Sequence, residues 1–491
     1  MSTREYHTID VTDHDLHRLT RETLAALYAS NTPPKLFRYG NRNVRLARDD
    51  HGYPILLELN EARMQHRLAE IANWRRLGSR GETYSAFPPV AVVQNVLATP
   101  NLKLPVLEQI AELPIFAPDG ILLSRPKYHE GGRLVCAPPE GFTLRPVSSN
   151  PGRAEIEEAA QLVLRDFLED FPFVTDADKA HAIAAFLLLF ARPLINGPTP
   201  LHLIDKPAPG TGATLLAQLM IYIALGGEVS IMTEARDEEE WRRRLLAKLL
   251  SGARALFIDN ISKPLASPAL SAAITAQVFE DRLIRTSEMV RVPINVLWIA
   301  TGNNPVLSND IARRTVRIHL DAHADKPWLR TGFLHPDLMK WVRENHMSLV
   351  WAALTMIQAW ITAGRPISLK VLGMFEQWSQ VMGGILEVDG INGFLSGLEA
   401  MYEDTDEETG YWTGFTSNWW ATHGDKVVST AELIGLTVEL ILDEASENSS
   451  KIKLGKELRR MRDRQFNGLR IVQAGIRRGS QLWKLEQVGS H

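Results

Sequence analysis

Up to about residue 150, apolar residues come in short runs. Leu36-Phe37-Arg38-Tyr39, Val44-Arg45-Leu46 and Ile55-Leu56-Leu57-Glu58-Leu59 read as strands, and helical spacing sets in only from about Glu61 to Arg76. Prolines then punctuate Ala86 to Pro139, which predicts short helices and frequent turns. The run Val147-Ser148-Ser149-Asn150-Pro151-Gly152 is the expected first boundary. Beyond it the period lengthens: Ala154 to Glu169 and Asp176 to Leu194 predict helices, the second apolar all round and therefore buried. Four short apolar runs follow, Leu201 to Ile204, Val229 to Met232, Ala255 to Ile258 and Val296 to Ala300, with helical stretches between them. That alternation predicts a parallel sheet covered on both faces. The acidic run Glu403-Asp404-Thr405-Asp406-Glu407-Glu408 marks a second boundary. The expectation is an α/β chain with an α+β unit at 1–150, a sheet-bearing core at 151–400 and a small unit at 411–491.

The first candidate chemistry sits where a strand runs into a glycine-rich turn and then a helix. Asp205-Lys206-Pro207-Ala208-Pro209-Gly210-Thr211-Gly212-Ala213-Thr214 is followed by LLAQLMIYIAL. Gly210 and Gly212 let backbone N–H groups curl around phosphate oxygens, and Thr214 stands where a hydroxyl reaches Mg²⁺. Pro209, Gly210, Thr211, Gly212, Ala213, Thr214 and Leu215 are thus the nucleotide-binding candidates. The pattern departs from a complete P-loop at two places. Pro207 stands for a glycine, and Ala213 for the lysine that places a point charge on the β- and γ-phosphates. Three explanations stay open: an engineered exchange, natural loss of catalysis, or a basic group from elsewhere, with Lys206 as the candidate.

Three further clusters follow in order. Asp259 ends the run Ala255-Leu256-Phe257-Ile258 and is the candidate metal ligand beside Thr214. Its neighbour Asn260 can orient a water but cannot accept its proton. Asn303 and Asn304, after Val296 to Ala300, stand where a polar group meets the γ-phosphate. Arg313 and Arg314, after Asp310-Ile311-Ala312, are candidates to act on the nucleotide of a neighbouring subunit. Each alone fits an ordinary loop, but the order across all four favours the nucleotide reading.

The formal net charge of -4, from 54 basic and 58 acidic residues, gives no hint of nucleic acid. The average conceals a segregated tail: Lys451 to His491 holds eleven Lys and Arg against three acids. Over Ile452 to Arg464, Leu454, Leu458 and Met461 share one helical face, and Lys453, Lys456, Arg460 and Arg464 another. Leu469 to Gln473 and Gln481 to Leu485 predict two strands joined by a turn that carries Arg477 and Arg478. A helix followed by a basic-tipped hairpin is the outline of a winged helix. A second candidate DNA contact is a hairpin over Arg282 to Arg291, which includes Arg285. A lone Cys136, a polar N-terminus and no long apolar stretch point to a cytoplasmic chain without a membrane span.

The runs IATGNNPVLSNDIARRTVRIHLD (299–321), LRTGFLHPDLMKWVRENHMSLVWAALTMIQAW and MFEQWSQVMGGIL resemble the AAA+ helicase portion of phage and integrative-element replication proteins. Those proteins are akin to superfamily 3 and MCM-like helicases and are often described as bacteriophage primase-helicases. The strand pattern at Leu36 to Tyr39 and the segments PPVAVVQNVL and PIFAPDGIL resemble the region that precedes the motor there. The resemblance implies a homohexameric ring with 1–150 as its collar, ATP and Mg²⁺ as cofactors, and movement on single-stranded or forked DNA. It assigns phosphate and metal to Gly210, Gly212, Thr214 and Asp259. The sensor role falls to Asn303 or Asn304, the finger to Arg313 or Arg314, and the channel hairpin to Arg282–Arg291. Relatives often carry Asp-Asn where Asp259-Asn260 stands, so the general base lies elsewhere, with Glu239 and Glu240 as candidates. A priming partner would be a separate protein. The alternatives are a catalytically inactive DNA-binding scaffold or loader, and a nucleotide-dependent regulator. A regulator prefers a specific duplex site, and a motor prefers forks and tails.

Overall fold

The computed structural model describes residues 7–227, 229–283, 288–397, 407–436, 447–477 and 480–488. Arg285 and Arg478, like 403–406 of the acidic stretch, lie outside the described residues. The chain divides into two compact units. One comprises residues up to Val306 together with Arg314–Ser396, and the other Leu307–Arg313 with Gly397 onwards.

The first unit is a mixed α/β structure built around a five-stranded sheet. Its elements are α1 (Asp176–Ala191), β1 (Leu201–Lys206), α2 (Ala213–Leu225), β2 (Ile231–Met232), α3 (Glu238–Leu250), β3 (Ala255–Ile261), the pair β4 (Val278–Arg282) and β5 (Met289–Pro293), β6 (Leu297–Asn303) and β7 (Thr315–His319). The strand order is β2-β3-β6-β1-β7, and every pairing in it is parallel. All six residues of β1 are buried, which explains its unbroken apolar reading in place of an alternating one. α1 is buried nearly all round, as its composition predicts, and starts at a capping box between Thr175 and Asp178.

Two predicted helices are shorter than their spacing suggests. The stretch 61–76 is helical over Glu61–Ile71 only; Ala72–Leu77 is a strand paired with His7–Asp10 and Thr83–Ser85. Ala72 and Trp74 point inward while Asn73 and Arg75 are exposed, so the period switches from helical to two within one apolar run. The stretch 154–169 is α-helical over Arg153–Gln161 and continues as a π-helix over Leu162–Phe167, which buries Val163 and Phe167. The strand expected at 229–232 is limited to Ile231–Met232.

Residues before 150 have a core of their own, with Ile9, Leu27, Leu68, Trp74 and Val93 at its centre. They are nevertheless part of the first unit, pinned to the sheet region by polar contacts. The Tyr39 hydroxyl donates to the carbonyl of Leu249 (2.9 Å), and Arg254, 3% exposed, pairs with Glu112 at 3.1 Å. Burial pushes the Glu112 carboxyl upward although Arg254 opposes it.

After β7 come α4 (His346–Thr362), whose interior face packs Leu349, Trp351, Leu354 and Trp360, and α5 (Glu376–Val388). Asp389 caps α5 at the end where the helix dipole is negative, and both its carboxylate oxygens are buried without a partner among the described residues.

The second unit has α6 (Glu407–His423), β8 (Val428–Ser429), α7 (Glu447–Arg460), β9 (Gln465–Phe466), β10 (Leu469–Arg477) and β11 (Ser480–Gln487). Its sheet is antiparallel in the order β8-β11-β10-β9. Trp412, Phe415, Trp419, Leu454, Leu458, Met461 and Trp483 form the core, so the apolar face read from the sequence is the buried one. Among the described residues, no helix is long and apolar enough to cross a membrane.

Burial pushes the Asp389 carboxyl up to about 8. In the unfolded chain the same group ionises near 3.9, so between these values the folded protein holds a proton that the unfolded chain has lost. Stability therefore falls as pH rises through that window. Asp389→Asn is expected to remove this dependence and to be more stable than the parent at pH 8, with little difference at pH 4. Urea unfolding at both pH values checks it, and an effect equal at the two would refute the assignment.

Candidate functional site at the strand ends

In a parallel sheet covered on both faces, the ends of the strands are where polar groups can meet water and ligands, especially where neighbouring strands connect in opposite directions. β1 lies between β6 and β7 here, and the turns after β1, β3 and β6 share the same edge. The glycine-rich turn after β1 needs its glycines. Gly210 has φ +81° and Gly212 has φ +102°, both in the left-handed region. A side chain at Gly210 would run into the backbone and Cβ of Trp328, at 2.8–3.1 Å, and one at Gly212 into the ring of Phe171 at 3.3 Å.

Gly212 caps α2 without a side chain, so the first N–H groups of that helix stay open at its positive end. Pro209 and Gly210 are exposed, Gly212, Thr214 and Leu215 are half-buried, and Thr211 and Ala213 are buried. The Thr211 hydroxyl donates to the carbonyl of Ala208 at 2.7 Å and closes the turn on itself.

Thr214 and Asp259 are in direct contact: the Thr214 hydroxyl donates to Asp259 Oδ1 at 2.8 Å. A second hydroxyl, from Thr301 in β6, donates to the same oxygen at 2.6 Å and accepts the N–H of Asn260 at 2.9 Å. Thr301 is fully buried and absent from the sequence reading, where it passed as one more residue before Gly302. Only its register opposite Ile204 and one strand from Asp259 reveals it. The β3 ladder shifts register between Ile258 and Ile261, and this irregularity turns Asp259 and Asn260 out of the regular pairing. The donor set of a hydroxyl and a carboxylate suits a hard cation such as Mg²⁺ completed by phosphate and water. Among the described residues no group of three or more His, Cys, Asp or Glu offers a protein-only metal cage.

Asn260 and Asn304 both have positive φ, +57° and +42°, a conformation asparagine tolerates better than most residues. Backbone geometry thus accounts for the residue type at both positions. Asn303 and Asn304 are exposed at the end of β6, and the Asn304 N–H donates to the carbonyl of Lys206 at 3.1 Å. Lys206, 9% exposed, ends β1 opposite Asn303. Burial holds its ammonium below the ordinary lysine range, and the charge of Asp259 works the other way.

The neighbouring Asp205 belongs to a different network. It pairs with Arg317 at 2.6 Å and His319 at 3.1 Å, and His319 donates its N–H to Asp178 at 2.7 Å. Burial raises the Asp205 carboxyl, but these two partners outweigh it and keep it low.

The remaining candidates are more scattered. Arg313 follows the short helix Asn309–Ala312, with its side chain 65% exposed and paired to Asp310 at 3.2 Å; Arg314 is half-buried. Glu239 and Glu240 pair with Arg243 and Arg244 along α3, the second at 2.7 Å. The hairpin over 282–291 is real as a ladder: β4 and β5 pair from Val278–Pro293 to Arg282–Met289. Its outer face is mixed rather than basic, because Arg291 pairs with Glu280 at 3.0 Å; Arg282 is exposed. Near the turn end of its ladder the hairpin is held by Arg242, which grips Asp281 through two bonds of 2.8 and 2.7 Å, and by Asn41, which donates to the Met289 carbonyl at 3.0 Å.

In the second unit Lys453, Lys456, Arg460 and Arg477 are exposed. Arg464 is a correction to the basic face. The helix ends at Arg460, so Arg464 lies beyond it, 5.1 Å over the Phe466 ring and bonded to the Met461 sulfur.

Thr301→Val removes one hydroxyl that serves two buried partners at once. We expect a loss of about 1–3 kcal/mol in urea unfolding, the range for stranding buried polar groups, with Thr301→Ser close to the parent. Equal stability of the valine form would show that the hydroxyl does not hold Asp259.

No protein-family model matches the chain, and no curated protein matches it. Solved structures give partial likenesses. The apo C-terminal region of NrS-1 is 12% identical, covers 95% of this chain and 98% of that chain, and has a TM-score of 0.42. SCCmec type IV Cch, described as an active helicase, is 13% identical over 91% of each chain, with a TM-score of 0.37. The JCV helicase is 12% identical, covers 54% of this chain and 71% of that chain, and has a TM-score of 0.22. Two of these three similar structures are described as helicases.

Proposed function

We propose that this chain is an AAA+ P-loop ATPase that acts on DNA, a ring-forming replicative helicase of a phage, plasmid or integrative element. One observation carries the reading. Two threonine hydroxyls, one from the helix after a glycine-rich turn and one from the adjoining strand, converge on Asp259 at the ligand-binding edge of a parallel sheet. That is the furniture of a Mg²⁺-nucleotide site, and the sequence order of its parts supports the same reading.

In this reading the turn from Pro209 to Leu215 cradles the phosphates with open N–H groups. Thr214 and Asp259 hold Mg²⁺, which when bound draws off charge from the phosphate oxygens. Thr301 fixes the carboxylate, and Asn303 or Asn304 orients the attacking water. Asn260, with its amide side chain, takes no proton. Arg313 or Arg314 reaches a neighbouring subunit's nucleotide, which makes the assembly a ring, with a hexamer as the expected count. Residues 1–150 form its collar, and 151–400 the motor. Residues 411–491 are a winged helix whose Lys453, Lys456, Arg460 and Arg477 meet DNA phosphates, while Arg282 and the hairpin track single-stranded DNA. Priming falls to a separate protein.

The second reading, a ring or scaffold that binds nucleotide and DNA without turnover, draws on Ala213. ATP binding and hydrolysis with and without single-stranded DNA, on this chain and on Ala213→Lys, separate the two. The motor reading expects ATP binding by this chain and DNA-stimulated hydrolysis in at least one of the two forms. Binding without turnover in either form supports the scaffold, and no ATP binding by either overturns both.

A further inference from the structure

A lysine at the end of a buried strand normally stands against a carboxylate, because a half-desolvated ammonium gains from an opposite charge beside it. Lys206 makes no ion pair within 4 Å among the described residues, although only 9% of it is exposed. Its backbone is fixed by the β1 ladder and by the Asn304 N–H, so the strand cannot turn it away without loss of pairing. The nearest basic alternative at this edge is committed elsewhere, since Arg317 is bonded to Asp205 through two of its nitrogens. Arg330, in the segment that lies against the turn, donates to the carbonyl of Asp170 at 3.1 Å. Asp259 is the one carboxylate whose charge acts on Lys206, and Asp259 already accepts two hydroxyl hydrogens. The turn therefore has at its entry a cation with no carboxylate in direct contact among the described residues, and an alanine at the position where a P-loop carries its own cation.

We propose that Lys206, arriving from the strand side, supplies the positive charge that holds the terminal phosphates of ATP in place of a lysine at 213. The inference rests on the nucleotide-binding reading of the turn and deepens it. It makes Ala213 a relocation of the charge rather than its loss. The ammonium, with no carboxylate in direct contact among the described residues, gains an anionic partner in the ligand, so a charge that adds little to the stability of the empty protein raises its affinity for polyphosphate.

That opposition gives the test. Isothermal calorimetry of Mg²⁺-ATP binding and the nucleotide-free melting temperature are measured on the full chain and on Lys206→Met, which keeps the apolar stem and deletes the charge. The expected result is ATP affinity weaker by roughly 10- to 100-fold, the worth of one charge-assisted bond to phosphate, with a melting temperature unchanged or raised. Affinity within twofold of the parent overturns the inference. So does a fall in affinity accompanied by a fall in melting temperature, since Lys206 would then be a structural residue. If the parent itself binds no ATP, the nucleotide reading fails first; if the parent binds and the methionine form binds equally, only the role of Lys206 is lost.

Discussion

The site exists because a parallel sheet buried on both faces has nowhere to put polar chemistry except at the ends of its strands. β1 is buried along its whole length, and its two neighbours in the sheet, β6 and β7, come from about a hundred residues further along the chain. That crossing of the order brings residues 210, 259 and 301 to one edge, though they are far apart in sequence. The edge is then tuned locally. Two glycines in the left-handed region bend the chain tightly after β1, and a register shift in β3 releases Asp259 from the ladder so that its carboxylate meets Thr214. Neither device works without the other, because the carboxylate alone would stay in the sheet's pairing and the turn alone would face nothing.

Successive residues of one strand have opposite fates at this edge. Asp205 is matched by Arg317 and His319 and belongs to the scaffold that joins β1 to β7 and, through Asp178, to α1. Lys206, one residue on, makes no ion pair within 4 Å among the described residues. A buried carboxylate held by two basic partners is evidence of structure, whereas a lysine with no ion pair in direct contact, next to an open helix terminus, is the kind of group a binding site uses. The contrast within two residues is stronger than either observation alone, because both belong to the same strand.

Much of this was legible in the sequence. Apolar runs found four of the five strands of the sheet, and glycine spacing found the turn; Asp259 followed from its place at the end of a buried run. The fifth, β7, follows the paired arginines 313 and 314, and its place beside β1 is a matter of sheet order. Thr301 was invisible because a threonine inside an apolar run has no periodicity to betray it, and its function is a matter of register across strands. The helix over 61–76 was overdrawn because Ala72 and Trp74 satisfy a helical pattern as well as an alternating one. Lys206 is a candidate basic group already in the sequence, but its burial at the end of β1 and the lack of a carboxylate in direct contact among the described residues are three-dimensional facts.

The basic residues illustrate the same point from the other side. A count of lysines and arginines marks both the hairpin and the tail as charged surfaces, but pairing decides how much charge is left to meet a polyanion. Arg291 is offset by Glu280, Arg460 by Glu457 and Arg470 by Glu486. Lys453 and Lys456 make no ion pair among the described residues and stay exposed on α7, on the side away from the buried Leu454 and Leu458. Exposed pairs are weak and yield to a phosphate at little expense, so offset arginines remain available to DNA but gain less from it. The electrostatic footprint of the second unit is therefore set first by exposed basic residues without an ion pair among the described residues, Lys453, Lys456, Arg459 and Arg477, and the tally of eleven basic residues in the tail overstates it.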